Sequence, residues 1–141
     1  MTPRSYNAFC KSLPHSTHVV QWDGADVWKI GGKVFAIYAP ESWGKHAGIT
    51  FKTSPMSYEL LKNQPGLRPA PYFASRGIKW IQRQSDESMS DADLKTYLRA
   101  SYDQVLAGLS KKKQSELSPP LQNARSGRRA PSGKPAVRSR A

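Results

Sequence analysis

The chain has 141 residues, with 22 Lys and Arg against 10 Asp and Glu and a formal net charge of +12. A single cysteine, Cys10, excludes an intrachain disulfide and fits a cytoplasmic protein. No stretch nears the roughly 18 apolar residues of a membrane span, and Met-Thr-Pro-Arg-Ser-Tyr lacks the apolar run of a secretion signal.

Charge divides the chain unevenly. Residues 1–109 carry 13 basic and 9 acidic side chains, a net of +4, whereas residues 110–141 carry nine basic residues and one acid, Glu116, a net of +8. The latter stretch is rich in Ser, Pro, Gly and Ala, and its only large apolar residues are Leu117, Leu121 and Val137. It cannot bury enough apolar surface to offset the entropy of ordering it. Residues 1–113 are therefore predicted to form one folded domain and residues 114–141 a disordered basic tail. No repeat of 20–50 residues is visible.

Thr2-Pro3 suits the N-cap and first turn of a helix. Tyr6, Phe9, Cys10 and Leu13 follow on one helical face, and Pro14 stops the run. Val19-Val20-Gln21-Trp22 reads either as a strand or as an extended lead-in to the Asp23-Gly24 turn. Val27–Ile30 and Lys33–Ala39 are predicted as strands joined at Gly31-Gly32, where a two-residue hairpin needs positive φ. The second of them is apolar on both faces and belongs at the centre of a sheet. Pro40–Lys45 reads as a loop carrying Trp43, the tryptophan best placed for exposure although a loop Trp equally can fold back onto the body, and Gly48–Lys52 as a strand with Ile49 and Phe51 facing inward.

Ser54 and Pro55 open a second helix, predicted to bury Met56, Leu60 and Leu61 and to end at Pro65-Gly66. The proline-rich residues 67–77 allow at most an edge strand. Ile78–Gln84 reads as a strand. Ser90 caps a last helix whose face is Leu94, Leu98, Tyr102, Val105 and Leu109, with Lys111, Lys112 and Lys113 at its C-terminal end, where the helix dipole favours cations. The order is helix, three strands, helix, one or two strands, helix. That order implies an α+β fold, an antiparallel sheet with its helices on one face.

Phe51-Lys52-Thr53-Ser54-Pro55, Leu60-Leu61, Arg68-Pro69, Tyr72, Trp80 and Ser101-Tyr102, together with the Trp28–Tyr38 hairpin, carry a resemblance. In this order the chain resembles the MmcQ/YjbR family of small bacterial proteins over roughly residues 5–110. The resemblance implies a fold similar to the CyaY/frataxin type and a DNA-binding role. The frataxin likeness also implies iron, held on an acidic first helix. Here Pro3–Ser12 carries Arg4 and Lys11 and no carboxylate, so the iron role is not carried over.

Catalytic patterns are missing from the sequence. His15, His18 and His46 lack the spacing of a metal site. Cys10 lies in a core stripe as a small apolar filler. Gly31-Gly32-Lys33 is followed by Val34, where a phosphate-cradling loop would place Ser or Thr. Lys52-Thr53-Ser54-Pro55 places a cation before free helix N–H groups that could hold a phosphate, although a good cap accounts for the same residues. No cofactor or metal is expected, and no enzymatic activity.

The basic residues form the pattern with most functional content. If Trp28, Ile30, Ile49, Phe51, Ile78 and Trp80 face the helices, alternation sends Lys29, Lys52, Lys79 and Arg83 to the opposite face. Four cations on an open sheet face can follow a phosphate backbone. Arg125, Arg128 and Arg129, with Lys134, Arg138 and Arg140, add a polycation in the tail. The reading is a nucleic-acid-binding protein, for DNA or RNA or another polyanion, mainly electrostatic and weakly sequence-selective, with no membrane partner. Its alternative is a protein- or small-ligand-binding module without a nucleic-acid role. Nothing in the pattern sets an oligomeric state.

Overall fold

The computed structural model describes residues 1–71 and 73–117. Met1–Gly108 forms one compact unit, and Leu109 begins a second. The elements run α1 (Pro3–Ser12), β1 (Ser16–Gln21), β2 (Ala25–Ile30), β3 (Lys33–Ala39), β4 (Gly48–Lys52), α2 (Pro55–Leu61), β5 (Leu67–Pro69), β6 (Trp80–Arg83), α3 (Asp91–Ala107) and α4 (Lys111–Leu117). Short 3-10 turns occupy Glu41–His46 and Ala74–Arg76. All strands join one antiparallel sheet of order β1-β2-β3-β4-β6-β5. The α+β architecture is the expected one. Among the described residues no helix is long and apolar enough to cross a membrane.

Local chemistry sets the boundaries. Thr2 and Ser5 cap α1 reciprocally, Ser54 accepts from the Ser57 N–H at 3.1 Å, and Ser90 accepts from the Asp93 N–H at 3.1 Å. Gly31 and Gly32 have φ of 58° and 82°, the mirror-image turn that matches strand twist. Of Val19–Trp22, for which strand and lead-in were both open, Val19, Val20 and Gln21 belong to β1 (Ser16–Gln21) and Trp22 to the turn. β1 turns into β2 through Trp22, Asp23 and Gly24, all at positive φ.

Helices α1 and α3 cover one face of the sheet. Tyr6 of α1 meets Tyr38 edge-on at 5.1 Å, Tyr102 of α3 meets Phe35 at 5.4 Å, and Tyr97 stacks on Phe51 at 5.8 Å. Leu94, Leu98 and Val105 complete this layer. A bulge makes the arrangement possible. Trp28 pairs with Ala36 but Lys29 pairs with Val34, so Phe35 is the extra residue of β3. Phe35 and its neighbour Ala36 thus both turn toward the helices, and both are fully buried. The opposite face holds a smaller core of Ala25, Val27 and Ile37, with Val19, Val34, Trp43 and Phe73 packed against it.

Several expectations are corrected. Met56 and Leu60 are 74% and 64% exposed, so only Leu61 of the predicted α2 stripe is buried. The helix has just two turns and touches the sheet through β5 and β6, which leaves no second row for a wide buried face. Of the two readings open for Trp43, the structure takes the second, with the ring half-buried. It folds back onto the small core and donates its indole N–H to the Asp23 carbonyl at 3.2 Å. The exposed tryptophan is Trp22.

The first compact unit is Met1–Gly108, whereas the sequence predicts one folded domain running to residue 113. Gly108 closes α3, and Lys111–Lys113 start a separate helix in which Ser110 accepts from the Lys113 N–H at 3.1 Å. Residues 114–117, predicted as tail, are helical. Arg125, Arg128, Arg129 and the rest of the predicted tail lie outside the described residues, as does Tyr72.

Two substitutions test this packing. The Ser101 hydroxyl donates to the bulged Phe35 carbonyl at 2.7 Å and accepts from the Lys52 N–H at 2.9 Å. Ser101→Ala should lower the free energy of urea unfolding by about 1–3 kcal/mol for each group left unpaired. Gly48 has φ of 150°, and a Cβ there would lie 2.8 Å from the Arg83 carbonyl. Gly48→Ala should therefore lower the thermal midpoint well beyond the effect of an exposed substitution, because β4 and β6 must part to admit the methyl.

Candidate nucleic-acid interface

Register places the candidate cations. One row crosses the whole sheet on the face away from α1 and α3: Val19, Val27, Ile37, Thr50, Gln82 and Arg68 stand side by side. The row is apolar on β1–β3 and polar on β4–β6. The 3-10 segment Glu41–His46 spans both halves. Trp43 packs on the apolar part, while Arg68 donates to the Lys45 carbonyl at 2.8 Å and Gln82 to the His46 carbonyl at 2.9 Å. Gln84 donates to the Lys45 and Ala47 carbonyls at 2.8 and 3.1 Å. This face is consequently not an open basic plane.

Lys29 and Lys52 lie on this face as expected. Lys29 pairs across the ladder with Val34, Lys52 with Trp80, and both are half-buried. Lys79 precedes β6 and is exposed, its ammonium 4.9 Å from the centroid of the Tyr58 ring. Lys62, one turn beyond Tyr58 on the chain, approaches the same ring at 5.7 Å. The Tyr58–Lys62–Lys79 group was not anticipated. The spacing of Tyr58 and Lys62 was its available signal, but only the path of the chain into β6 brings Lys79 over the ring.

Arg83 is a correction. It pairs with Ile49 on the helix-facing side and is only 6% exposed. Its guanidinium donates to the Met89 carbonyl at 3.0 and 2.8 Å and to Asp91 at 2.9 Å. Asp91 is held below the usual carboxylate range, first by the Met1 ammonium and then by Arg83. The cause of the correction is parity. Lys52 opposes Trp80 and Phe51 opposes Ile81, so Ile81 and Arg83 face the helices. Trp80 points the other way and is buried by stacking on Phe73 at 5.1 Å. Ile78 lies outside the strand and is 37% exposed.

The Lys52–Pro55 phosphate reading is also resolved locally. The Lys52 N–H is taken by Ser101, the Thr53 hydroxyl donates to the Lys79 carbonyl at 3.0 Å, and Ser54 caps α2. Each of these polar groups ties the helix entry to the scaffold.

Charge is segregated along the folded unit. Residues 1–83 carry 11 Lys/Arg against 4 Asp/Glu, a net of +7, whereas residues 84–94 carry four acids and no base, a net of −4. Asp86, Glu87, Asp91 and Asp93 are all exposed at the start of α3. Ion pairs among the described residues include Lys62–Glu59, Arg83–Asp91, Arg99–Asp103, Lys113–Glu116 and Met1–Asp91, and His18 is hydrogen-bonded to Asp26. Among the described residues Lys29, Lys45, Lys52 and Lys79 have no carboxylate partner. Their charge is available to a ligand at no cost of breaking an internal pair.

Nucleophilic chemistry finds no support in the surroundings of Cys10. The thiol is fully buried, and burial pushes its pKa up to about 12. Among the described residues no group of three or more His, Cys, Asp or Glu could hold a metal ion. Cys10 should resist a thiol-specific chromogenic reagent at pH 8 in the native protein and react at once in urea. Since its pKa rises from 9.0 in the reference state to about 12 when folded, its contribution to stability is complete below pH 9.0 and is lost as pH rises toward 12. Alkaline titration followed by circular dichroism should show stability falling in that window.

Comparison with known proteins gives a coherent placement. No curated protein matches the chain. The crystal structure of the Deinococcus radiodurans protein DR2400, which carries the domain DUF419, is similar with a TM-score of 0.69 and 22% identity, over 83% of this chain and 88% of that one. At that identity the likeness concerns the fold. The family model YjbR matches residues 11–104, from the end of α1 through most of α3. The chain belongs to the YjbR family.

Proposed function

We propose that this protein is a non-enzymatic, cytoplasmic binder of nucleic acid, held mainly by electrostatics and with little sequence selectivity. The observation that carries this reading is the set of lysines that, among the described residues of this stretch, have no carboxylate partner, Lys11, Lys29, Lys33, Lys45, Lys52 and Lys79, in a region of net charge +7. Cations left unpaired in the folded state attract phosphates and release condensed counterions on binding. Tyr58, beneath Lys79, adds an aromatic face beside the cations, the combination used by single-stranded nucleic-acid binders. The basic residues beyond Leu117 would add affinity independently of sequence.

A protein-binding role is the second reading, favoured by the exposure of Met56 and Leu60 on α2. Salt separates the two, because binding to phosphates weakens steeply with salt and an apolar interface does not.

Affinity for DNA, RNA and a polyanion control should be measured against salt in a chain ending at Leu117 and in its Lys29→Gln/Lys52→Gln/Lys79→Gln variant. Every lysine–phosphate pair that the substitutions remove should flatten the logarithmic salt dependence by about 0.9 on B-DNA. Arg83→Gln should lower stability and leave that slope unchanged, since Arg83 is committed to Met89 and Asp91. If the triple variant binds as its parent does, these lysines are solvated surface. If the parent itself fails to bind at low salt, the body has no nucleic-acid role.

A further inference from the structure

The two edges of the sheet are built differently. β5 is three residues long, contains Pro69, which has no N–H to offer, and carries Arg68. These are the devices by which proteins prevent further strands from adding to a sheet. β1 has none of them. Ser16–Gln21 is six residues long, contains no Pro, Lys, Arg, Asp or Glu, and pairs with β2 without a register shift. Among the described residues the backbone of Thr17–Gln21 makes no hydrogen bond outside the β1–β2 ladder. The outward N–H and C=O groups of this strand are therefore free to form a second ladder.

Side chains around this edge point the same way. Val20 and Trp22 are 59% and 55% exposed, two of the five large apolar residues left on the surface among the described residues. Trp22 has φ of 50°, a region that bulky residues avoid, so the turn displays the indole to solvent at a conformational cost. β1 itself carries no Lys, Arg, Asp or Glu, and its His18, stacked on Trp28 at 4.8 Å, is hydrogen-bonded to Asp26 of β2 at 2.8 Å. Two copies of the edge therefore meet without like-charge repulsion, although the whole chain is strongly basic.

We propose that β1 pairs antiparallel with β1 of a second copy of this chain, joining two six-stranded sheets into one. The occupant is a second copy because a two-fold axis makes the edge its own complement. Both copies supply the same unpaired backbone groups and the same exposed apolar pair. Keeping each side chain on its own face requires residues of equal parity to oppose one another. Centred on Val19, the ladder sets Val19 against its counterpart, His18 against Val20, and Thr17 against Gln21. Val20 is then covered by the His18–Trp28 stack of the other copy. An edge contact of this kind buries less than a standard interface, so the dimer is a reversible one with a dissociation constant in the micromolar to millimolar range.

The test is sedimentation of the full-length protein over a concentration series, with amide hydrogen exchange at both ends of the series. Mass should rise toward the dimer, and part of the Thr17–Gln21 amides should gain protection only at high concentration. Val20→Lys, at an exposed position, should leave the melting temperature unchanged and raise the dissociation constant about tenfold or more. Met56→Glu on α2 should leave it unchanged. A protein that stays monomeric throughout overturns the proposal. So does a dimer in which the β1 amides gain no protection, or one that survives Val20→Lys and dissociates in Met56→Glu.

Discussion

The structure depends on one hydroxyl at a point where the sheet cannot satisfy itself. The bulge at Phe35 lets two successive residues of β3 turn toward the helices, and the ladder to β4 breaks off beside it, at the Ala36–Phe51 pair. An interrupted ladder leaves backbone groups unpaired in a region closed to water, which a core does not tolerate. Ser101, fully buried at the middle of α3, takes both: it donates to Phe35 and accepts from Lys52. The same contact fixes α3 along the sheet, so that Tyr97 meets Phe51 on one side of it and Tyr102 meets Phe35 on the other. Tyr102 in turn donates to the Pro14 carbonyl at 2.6 Å, which anchors the end of the α1 segment. A leucine or alanine at position 101 would suit the helix equally well, but not the bulge.

The far face of the sheet follows a different logic. It faces away from α1 and α3, and its apolar half is covered by Trp43 of the 3-10 turn Glu41–His46 and by Phe73. Side-chain donors on β5, on β6 and just beyond it hold that turn by its carbonyls. Arg68 and Gln82 also bond to each other at 2.8 Å, so the polar half of the row is a clamp on the loop. The unpaired lysines are left at the margins of this cover. A polyanion would consequently meet separate cations around a rim, a geometry suited to tracking a backbone and poorly suited to reading bases.

Much of the fold was legible in the sequence because caps, turn glycines and periodicity are local. Ser54, Ser90 and Gly31-Gly32 mark boundaries through hydrogen bonds and φ values that depend on a few neighbours. The double-sided apolar run of β3 announced a central strand covered on both faces, as found. The facing of β6 was not legible. All four residues Trp80, Ile81, Gln82 and Arg83 are buried, so the strand has no polar side from which to read its parity. The choice is made by its pairing with β4, a contact about 30 residues distant in sequence, and it moves Arg83 from a presumed binding face into an ion pair beneath α3.

By itself the sequence determined the class of the fold, the family, the net charge and most elements in their order, since each is written in residue types and near spacings, but it left β1 open and did not show α4. The tertiary structure alone decided which cations stand together, because faces are assigned by register between strands and a shift of one residue exchanges them. It also decided which apolar residues remain outside: Met56 and Leu60 satisfy a helical stripe, yet α2 is too short to press it against the sheet. Val20 and Trp22 stay exposed because β1 is the last strand, and a strand at an edge has a neighbour on one side only.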